Sequence, residues 1–207
     1  MKQLFLCSYF AGVKNLFRQY ASEKQLGKHV LFIPTAGNVE EYRGYIDEAL
    51  QTFADLGFQV EVLDISACDR ETAQAKIFQS KLLYVSGGNT FYLLQELKKK
   101  QLLSLIKEQI ADGMVYVGES AGAIITAKDI DYNKLMDDKG VAAELHDTGA
   151  LNEVDFYVLP HVGEEPFVES AQATLDTYSD QLNLLPLNNR QAVLVEGEEV
   201  KVLEEDK

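Results

Sequence analysis

Residues 118–122 read GESAG, and the G-x-S-x-G spacing can hold a reactive serine. The apolar segment 114–117 precedes this stretch, and a segment typical of a helix, 123–127, follows it. A serine on such a tight strand-to-helix turn projects from its sheet, and the N–H groups at the start of the helix can stabilise an oxyanion. The alternative is an ordinary turn in which Ser120 only caps the helix. The strand and helix on either side favour Ser120 as a nucleophile.

A serine nucleophile needs a base, and imidazole can take a hydroxyl proton near neutral pH. The chain has three histidines, which are His29, His146 and His161. His29 begins a predicted strand at the amino end of the sheet, and His146 lies in a polar loop, so neither is placed to act on Ser120. His161 directly follows the predicted strand 156–160, at the carboxyl-end edge where Ser120 is also expected. We therefore predict that His161 is the base.

A second glycine-rich turn, SGGNT at residues 86–90, also lies between a predicted strand and a predicted helix. Paired glycines allow close backbone approach and can point amides into the crevice at the carboxyl ends of strands. A phosphate-binding loop is one interpretation, but the lysine and the spacing of a Walker loop are absent. Next to a reactive serine, this turn would supply the second half of an oxyanion hole.

Three motifs in combination are similar to those of a known family. They are GNTF at residues 88–91, GESAGA at 118–123 and LPH at 159–161. Together they resemble the aspartyl dipeptidase (peptidase E) and cyanophycinase family of serine peptidases, from the first strand to about residue 195. The resemblance implies an α/β sandwich like that of class I glutamine amidotransferases, with serine in place of cysteine. It also implies that Ser120 is the nucleophile and His161 its base.

The same resemblance extends to the groups around the nucleophile. It implies that the backbone amides of Gly88 and Ala121 form the oxyanion hole. We also expect the side chains of Asn89 and Glu119, which lie within the two glycine-rich motifs, to contact the substrate.

The residue that orients the histidine departs from the family pattern. The family usually has a glutamate shortly before the final hairpin, and that position falls on Asn189 here. An asparagine carbonyl can hold an imidazole tautomer, but it cannot neutralise an imidazolium. We predict Asn189 as the third catalytic residue. Glu196, Asp155 and Asp131 remain alternatives that no spacing argument separates.

The expected substrate also departs from the family. Aspartyl dipeptidases are expected to bind the substrate carboxylate with basic side chains in the segment after the histidine. Here the segment 162–182 has no lysine or arginine, and it contains Glu164, Glu165 and Glu169. These carboxylates would repel an acidic side chain, so aspartyl specificity is not expected.

The charge balance bears on the possible partners. The chain has 19 Lys+Arg against 33 Asp+Glu, which gives a formal net charge of −14. Such a field repels nucleic acids and anionic lipids, so neither is an expected partner. Cys7 and Cys68 lack metal or redox spacing. We expect no metal, no cofactor and a cytoplasmic location, with a small peptide as the partner of a monomer or homodimer.

Short apolar runs alternate with helical patterns along most of the chain. The predicted strands are 4–8, 29–34, 59–65, 82–86, 115–117 and 156–160, with a hairpin formed by 192–195 and 200–203. The predicted helices are 14–25, 41–56, 69–79, 90–100, 102–112 and 168–182. The alternation favours right-handed βαβ units. We predict one domain over residues 1–207, a three-layer α/β sandwich with a mostly parallel central sheet and a C-terminal antiparallel hairpin at its edge.

These observations predict a serine-type peptidase that acts on small peptides through an acyl-enzyme and resembles a dipeptidase. One alternative is an esterase or amidase of the α/β-hydrolase kind, which uses the same serine turn. The other is a non-catalytic homologue that binds a ligand at the same edge of the sheet, an alternative that Asn189 keeps open.

Overall fold

A central sheet organises the computed structural model, which describes residues 1–206. The strands are β1 Gln3–Cys7, β2 His29–Ile33, β3 Gln59–Val62, β4 Leu82–Val85, β5 Val115–Glu119, β6 Tyr157–Leu159, β7 Leu184–Pro186, β8 Gln191–Glu196 and β9 Glu199–Glu204. Seven of them form one sheet in the order β3-β2-β4-β5-β1-β8-β9. The pairs from β3 to β1 are parallel, whereas β8 and β9 add an antiparallel hairpin. The predicted α/β class, mostly parallel sheet and C-terminal hairpin are confirmed.

Helices follow most of the parallel strands. They are α1 Lys14–Glu23, α2 Gly44–Asp55, α3 Arg70–Gln79, α4 Thr90–Lys99, α5 Leu103–Ala111, α6 Ala121–Ile124 and α7 Val168–Tyr178. Side-chain caps fix two of their starts, because Asp69 accepts from the Thr72 N–H and Asn89 from the Tyr92 N–H. Within residues 1–206, no helix has both the length and the apolar character needed to cross a membrane.

Both faces of the sheet are covered, and β1 shows how. Leu4 and Leu6 pack into one apolar cluster, whereas Phe5 and Cys7 pack into a second cluster on the opposite face. Successive side chains of a strand point to opposite faces, so a strand buried on both sides is apolar along its whole length. This burial explains the continuous apolar runs of the sequence and gives the three layers.

Strand β6 corrects the sequence-based picture. It does not join the main sheet but pairs in parallel with β7, Tyr157 opposite Leu184, in a separate two-stranded sheet. The sequence analysis did not predict β7, because three residues are too few to show an apolar alternation. The predicted helix 41–56 also begins later than expected, at Gly44, and 168–182 ends earlier, at Tyr178.

Candidate active site

Ser120 lies in the sharp turn between β5 and α6. Its backbone has φ 46° and ψ −106°, a conformation that is rare for a residue with a side chain. Its N–H donates to the Cys7 carbonyl at 2.9 Å, which ties the turn to β1. A Cβ at Gly118 would lie 2.5 Å from the Gly122 oxygen, and a Cβ at Gly122 would lie 2.1 Å from the Val85 oxygen. The two glycines of the motif therefore allow the helix to cross close to the sheet and expose the serine.

The His161 ring contacts both residues that the sequence analysis paired with it. Its Nε2 lies 3.0 Å from the Ser120 Oγ, and its Nδ1 lies 2.7 Å from the Asn189 Oδ1. Because an amide oxygen can only accept, Nδ1 carries the proton and Nε2 is free to accept from the serine. The ring stacks on Phe167 with centroids 4.6 Å apart. Burial lowers the pKa of His161, which favours the neutral form that a base requires.

A buried serine that the sequence analysis did not identify positions this histidine. Ser8 follows β1, its Oγ accepts from the His161 N–H at 3.2 Å, and it donates to the Leu187 carbonyl at 3.1 Å. The Asn189 N–H in turn donates to the Glu164 Oε1 at 3.3 Å. Ser8 thus connects β1 of the main sheet to the small sheet that carries His161. Ser8 could have been identified from the sequence, because it is a polar residue at the carboxyl end of a predicted parallel strand.

The carboxylates that were alternatives to Asn189 as the partner of His161 make other contacts. Asp131 pairs with Lys134 at 2.7 Å and with Lys139 at 3.0 Å, and Glu196 pairs with Lys24 at 2.6 Å. In the described residues 1–206, neither of these carboxylates nor that of Asp155 is hydrogen-bonded to the histidine ring. The structure places Asn189 there instead.

Gly88 approaches the backbone of a neighbouring loop. Its φ is 125°, and a Cβ there would lie 2.3 Å from the carbonyl carbon of Ala36, so only glycine fits. The adjacent Gly87 abuts the serine, since a Cβ on it would lie 3.3 Å from the Ser120 Cβ. Across the part of the chain that the structure describes, the N–H groups of Gly88 and Ala121 donate to no protein acceptor. Both are available as donors to a bound molecule.

The Asn89 side chain is held by two hydrogen bonds within the protein, and its contact with a substrate stays a prediction. Its Oδ1 accepts from the Tyr92 N–H at 3.0 Å, and its Nδ2 donates to the Asp138 carbonyl at 2.9 Å. The residue is only 2% exposed. Its side chain caps α4 and fastens the loop around Asp138, because a helix start leaves N–H groups that need an acceptor.

Glu119 is held by hydrogen bonds within the protein in a similar way. It is 2% exposed, and its carboxylate accepts from the Phe10 N–H at 2.7 Å, the Gly87 N–H at 3.4 Å and the Tyr84 hydroxyl. Burial raises the pKa of Glu119 to about 7. Glu119 supports the glycine turn that carries Gly88, and contact of its carboxylate with a substrate stays a prediction.

Ser120 and His161 open onto a cavity of about 780 Å³. Carboxylates from five separate segments line it, together with several aromatic rings. The acidic residues are Glu40, Glu41, Glu48, Glu119, Asp137, Asp138 and Glu165. Within residues 1–206, no lysine or arginine lines the wall. The acidic segment 162–182 was visible in the sequence, but the other segments contribute more of the lining carboxylates, and only the fold brings them together.

Comparison with known proteins places the chain among peptidases with an α/β fold. The model of Peptidase family S51 matches residues 6–203, and the chain belongs to this family. This finding confirms the resemblance drawn from the three motifs.

The relatives and solved structures agree with this assignment. The chain is 48% identical to an uncharacterized peptidase of Pasteurella multocida, over 96% of this chain and 95% of the relative. It is 43% identical to an uncharacterized peptidase of Listeria monocytogenes, over 97% of each chain. A crystal structure described as a peptidase E protein from Listeria monocytogenes superposes with a TM-score of 0.94 at 41% identity, covering 100% of both chains. A peptidase from an acI-B1 Actinobacterium shares the fold, with a TM-score of 0.70 at 20% identity over 99% of this chain and 88% of that one.

Proposed function

We propose that this chain is a serine-type peptidase that cleaves short peptides through an acyl-enzyme. The observation that carries the proposal is the position of the His161 ring, 3.0 Å from the Ser120 Oγ on one side and 2.7 Å from the Asn189 Oδ1 on the other. A nucleophile, a base and a group that orients the base are the parts that nucleophilic catalysis needs. Membership of Peptidase family S51 supports peptide bonds as the target.

Acylation would begin with attack of the Ser120 Oγ on the carbonyl carbon of the substrate. His161 Nε2 takes the hydroxyl proton as the new C–O bond forms. The charge that develops on the carbonyl oxygen is stabilised by the N–H groups of Gly88 and Ala121. When the intermediate collapses, the C–N bond breaks, and the imidazolium gives its proton to the leaving amine.

Deacylation repeats these steps with water. His161 takes a proton from the water as its oxygen attacks the ester, and the proton then passes to the Ser120 oxygen as the C–O bond breaks. The products are a carboxylic acid and the free serine. Asn189 keeps the ring oriented through both steps. As a neutral amide, it provides orientation without the charge compensation that a carboxylate gives an imidazolium.

The size of the cavity supports small substrates. Its volume of about 780 Å³ lies within the range of roughly 300–1,000 Å³ that is typical of small-molecule sites. The acidic wall is the wrong environment for a substrate carboxylate, so we propose a dipeptidase-like enzyme that does not prefer N-terminal aspartate.

The test combines covalent labelling with hydrolysis of a dipeptide panel. A fluorophosphonate probe should label the protein, and Ser120→Ala should abolish the labelling and lower kcat by roughly 10⁴-fold or more. Ser104→Ala is the matched control, because Ser104 is exposed on α5. It should leave both the labelling and the hydrolysis unchanged.

Two outcomes would contradict the proposal and correspond to its alternatives. Hydrolysis of simple p-nitrophenyl esters far faster than any dipeptide would indicate an esterase. An absence of both labelling and hydrolysis, with retained binding of peptides, would indicate a non-catalytic homologue.

A further inference from the structure

We propose that the cavity beside Ser120 contains a subsite for a positively charged group of the substrate, formed by Glu40, Asp137 and Asn133. Its preferred substrates would be short peptides that present an ammonium or guanidinium group there. This inference rests on the proposed function, because it names the substrate class of that same site.

The charge of the cavity wall is the first observation. Seven acidic residues line the wall, and no lysine or arginine within 1–206 does. A cleft lined by charges of one sign concentrates the potential and attracts molecules of the opposite sign. The net charge of −14 adds to this field. The wall therefore favours a cation over the acidic side chain that an aspartyl dipeptidase would bind.

An unpartnered acceptor points to the same chemistry. Asn133 lines the cavity and is 0% exposed, and its Nδ2 donates to the Asp137 Oδ2 at 2.8 Å and to the Thr90 Oγ1 at 3.2 Å. A carboxylate can only accept, so the amide atom that faces Asp137 must be the nitrogen. The other amide atom of Asn133 is therefore the oxygen, Oδ1. In the described residues, that Oδ1 has no hydrogen-bond partner. A buried acceptor without a donor is costly, and a substrate N–H would satisfy it.

Asp137 provides the charge next to this acceptor. Its Oδ2 accepts from the Thr90 N–H at 2.7 Å as well as from Asn133, so the carboxylate is fixed by neutral donors. Burial, together with the charge of Glu40, raises the pKa of Asp137 to about 6. Two carboxylates that interact across a cavity repel each other, and a cation between them relieves that repulsion.

Tyr45 and Arg43 complete the surroundings of the subsite. The Tyr45 hydroxyl is buried and has no partner within residues 1–206. Burial raises the pKa of Tyr45, and the charges of Glu40 and Asp137 act in the same direction. Arg43 opposes them, but its guanidinium donates to the Asn38 Oδ1 at 3.3 Å and does not line the cavity. The subsite thus keeps its negative charge and an additional hydroxyl acceptor.

The cation could come from a basic side chain or from the N-terminal amine of the peptide, and the test separates these sources. The probes are Lys-Ala, norleucine-Ala and Glu-Ala, each with a free and with an acetylated N-terminus. Norleucine has nearly the length of lysine without the charge. A side-chain cation is indicated when kcat/KM for Lys-Ala exceeds that for norleucine-Ala by tenfold or more. An amine is indicated when acetylation of norleucine-Ala lowers kcat/KM by tenfold or more.

Substitutions then locate the subsite. Glu40→Gln and Asp137→Asn should each reduce the tenfold preference for the charged substrate, whether for Lys-Ala or for the free amine, to about threefold or less. Glu40→Lys should favour Glu-Ala over Lys-Ala. Glu40 is exposed, so its variants should fold even where Asp137→Asn does not. Glu108→Gln changes the net charge equally on the exposed face of α5 and should keep the full preference.

The outcomes distinguish failure of the subsite from failure of the proposed function. Hydrolysis of all peptides with neither a charge preference nor an effect of acetylation would overturn the subsite and leave the peptidase proposal standing. If no peptide is cleaved and Ser120 is not labelled, calorimetric binding of the same probes still tests the subsite. Equal binding of Lys-Ala, norleucine-Ala and acetyl-norleucine-Ala would overturn it.

Discussion

At the scale of single residues, an amide lies next to the proposed catalytic histidine, at the position where the resemblance implied a glutamate. The Asn189 Oδ1 holds the His161 ring by one hydrogen bond, and burial lowers the pKa of that ring while the charge of Glu164 raises it. The ring is therefore neutral at neutral pH, as the proposed base must be. An imidazolium formed in the proposed reaction would gain less from Asn189 than from a charged partner.

This arrangement predicts the pH dependence of the activity. A base must be neutral, so kcat/KM should rise with pH through the His161 pKa, which lies below the usual 6.5. Asn189→Asp adds a negative charge and should move this acid limb to higher pH. Asn189→Ala should lower kcat roughly 10–100-fold through the lost hydrogen bond. Profiles of kcat/KM from pH 4 to 9 test both expectations.

A control for charge alone is available in the same chain. Asn152→Asp makes the same chemical change at an exposed position and should leave the acid limb in place. An Asn189→Asp profile identical to that of the unmodified protein would show that Asn189 does not act on the histidine.

At the scale of elements, two glycine turns at the carboxyl ends of β4 and β5 bring backbone groups to the serine. Each turn makes a contact that a Cβ would block. The blocking atoms belong to Ala36 for Gly88 and to Val85 for Gly122. The position of the proposed oxyanion donors thus depends on how closely three segments approach one another, and on Glu119, which accepts from the Gly87 N–H.

Gly88→Ala should therefore act mainly on catalysis. The new Cβ would lie 2.3 Å from the Ala36 backbone, and φ 125° is unfavourable for alanine, so the turn must move. Loss of one oxyanion donor lowers kcat by roughly 10²–10³-fold, and KM should change less. Steady-state kinetics measure the separate effects on kcat and KM, and circular dichroism verifies that the variant is folded.

Gly27→Ala is the matched control for this substitution. A Cβ at Gly27 meets nothing within 4 Å, so the kinetic constants should be unchanged. A folded Gly88→Ala variant with an unchanged kcat would exclude Gly88 as an oxyanion donor.

At the scale of the whole molecule, a carboxyl group buried in the centre of the fold couples stability to pH. Burial raises the pKa of Glu119 to about 7 from 4.5, so the folded protein favours the protonated form. The stabilisation from this group is present below about pH 4.5 and is lost as the pH rises through 7. Asp137, whose pKa burial raises to about 6, acts in the same direction.

Glu119→Gln should remove the part of this pH dependence that Glu119 contributes and leave the part that Asp137 contributes. The rise in the pKa of Glu119 from 4.5 to about 7 corresponds to about 3 kcal/mol in the free energy of unfolding, lost by the unmodified protein between about pH 4 and pH 8. Urea unfolding at intervals over this range should give a flatter curve for Glu119→Gln, whereas Glu108→Gln should follow the unmodified protein. Parallel curves for the unmodified protein and Glu119→Gln would mean that the carboxyl is ionised throughout.

The sequence by itself determined the local features of this protein. The alternation of apolar runs and helical patterns gave the α/β class, and the segment 118–122 gave the strand–turn–helix around Ser120. These features depend on hydrophobic period and on glycine, which act between residues close in the chain. The three histidines were few enough for strand position to select His161.

Only the tertiary structure decided which distant groups meet. Strand β7 and helix α7 lie between His161 and Asn189, so the contact at 2.7 Å depends on how the small sheet packs against Ser8. The inward direction of Asn89 and Glu119 depends on the partners that the fold brings to them. The acidic cavity likewise gathers carboxylates from separate loops. Such contacts follow from the packing of whole elements, and no period or spacing within one segment encodes that packing.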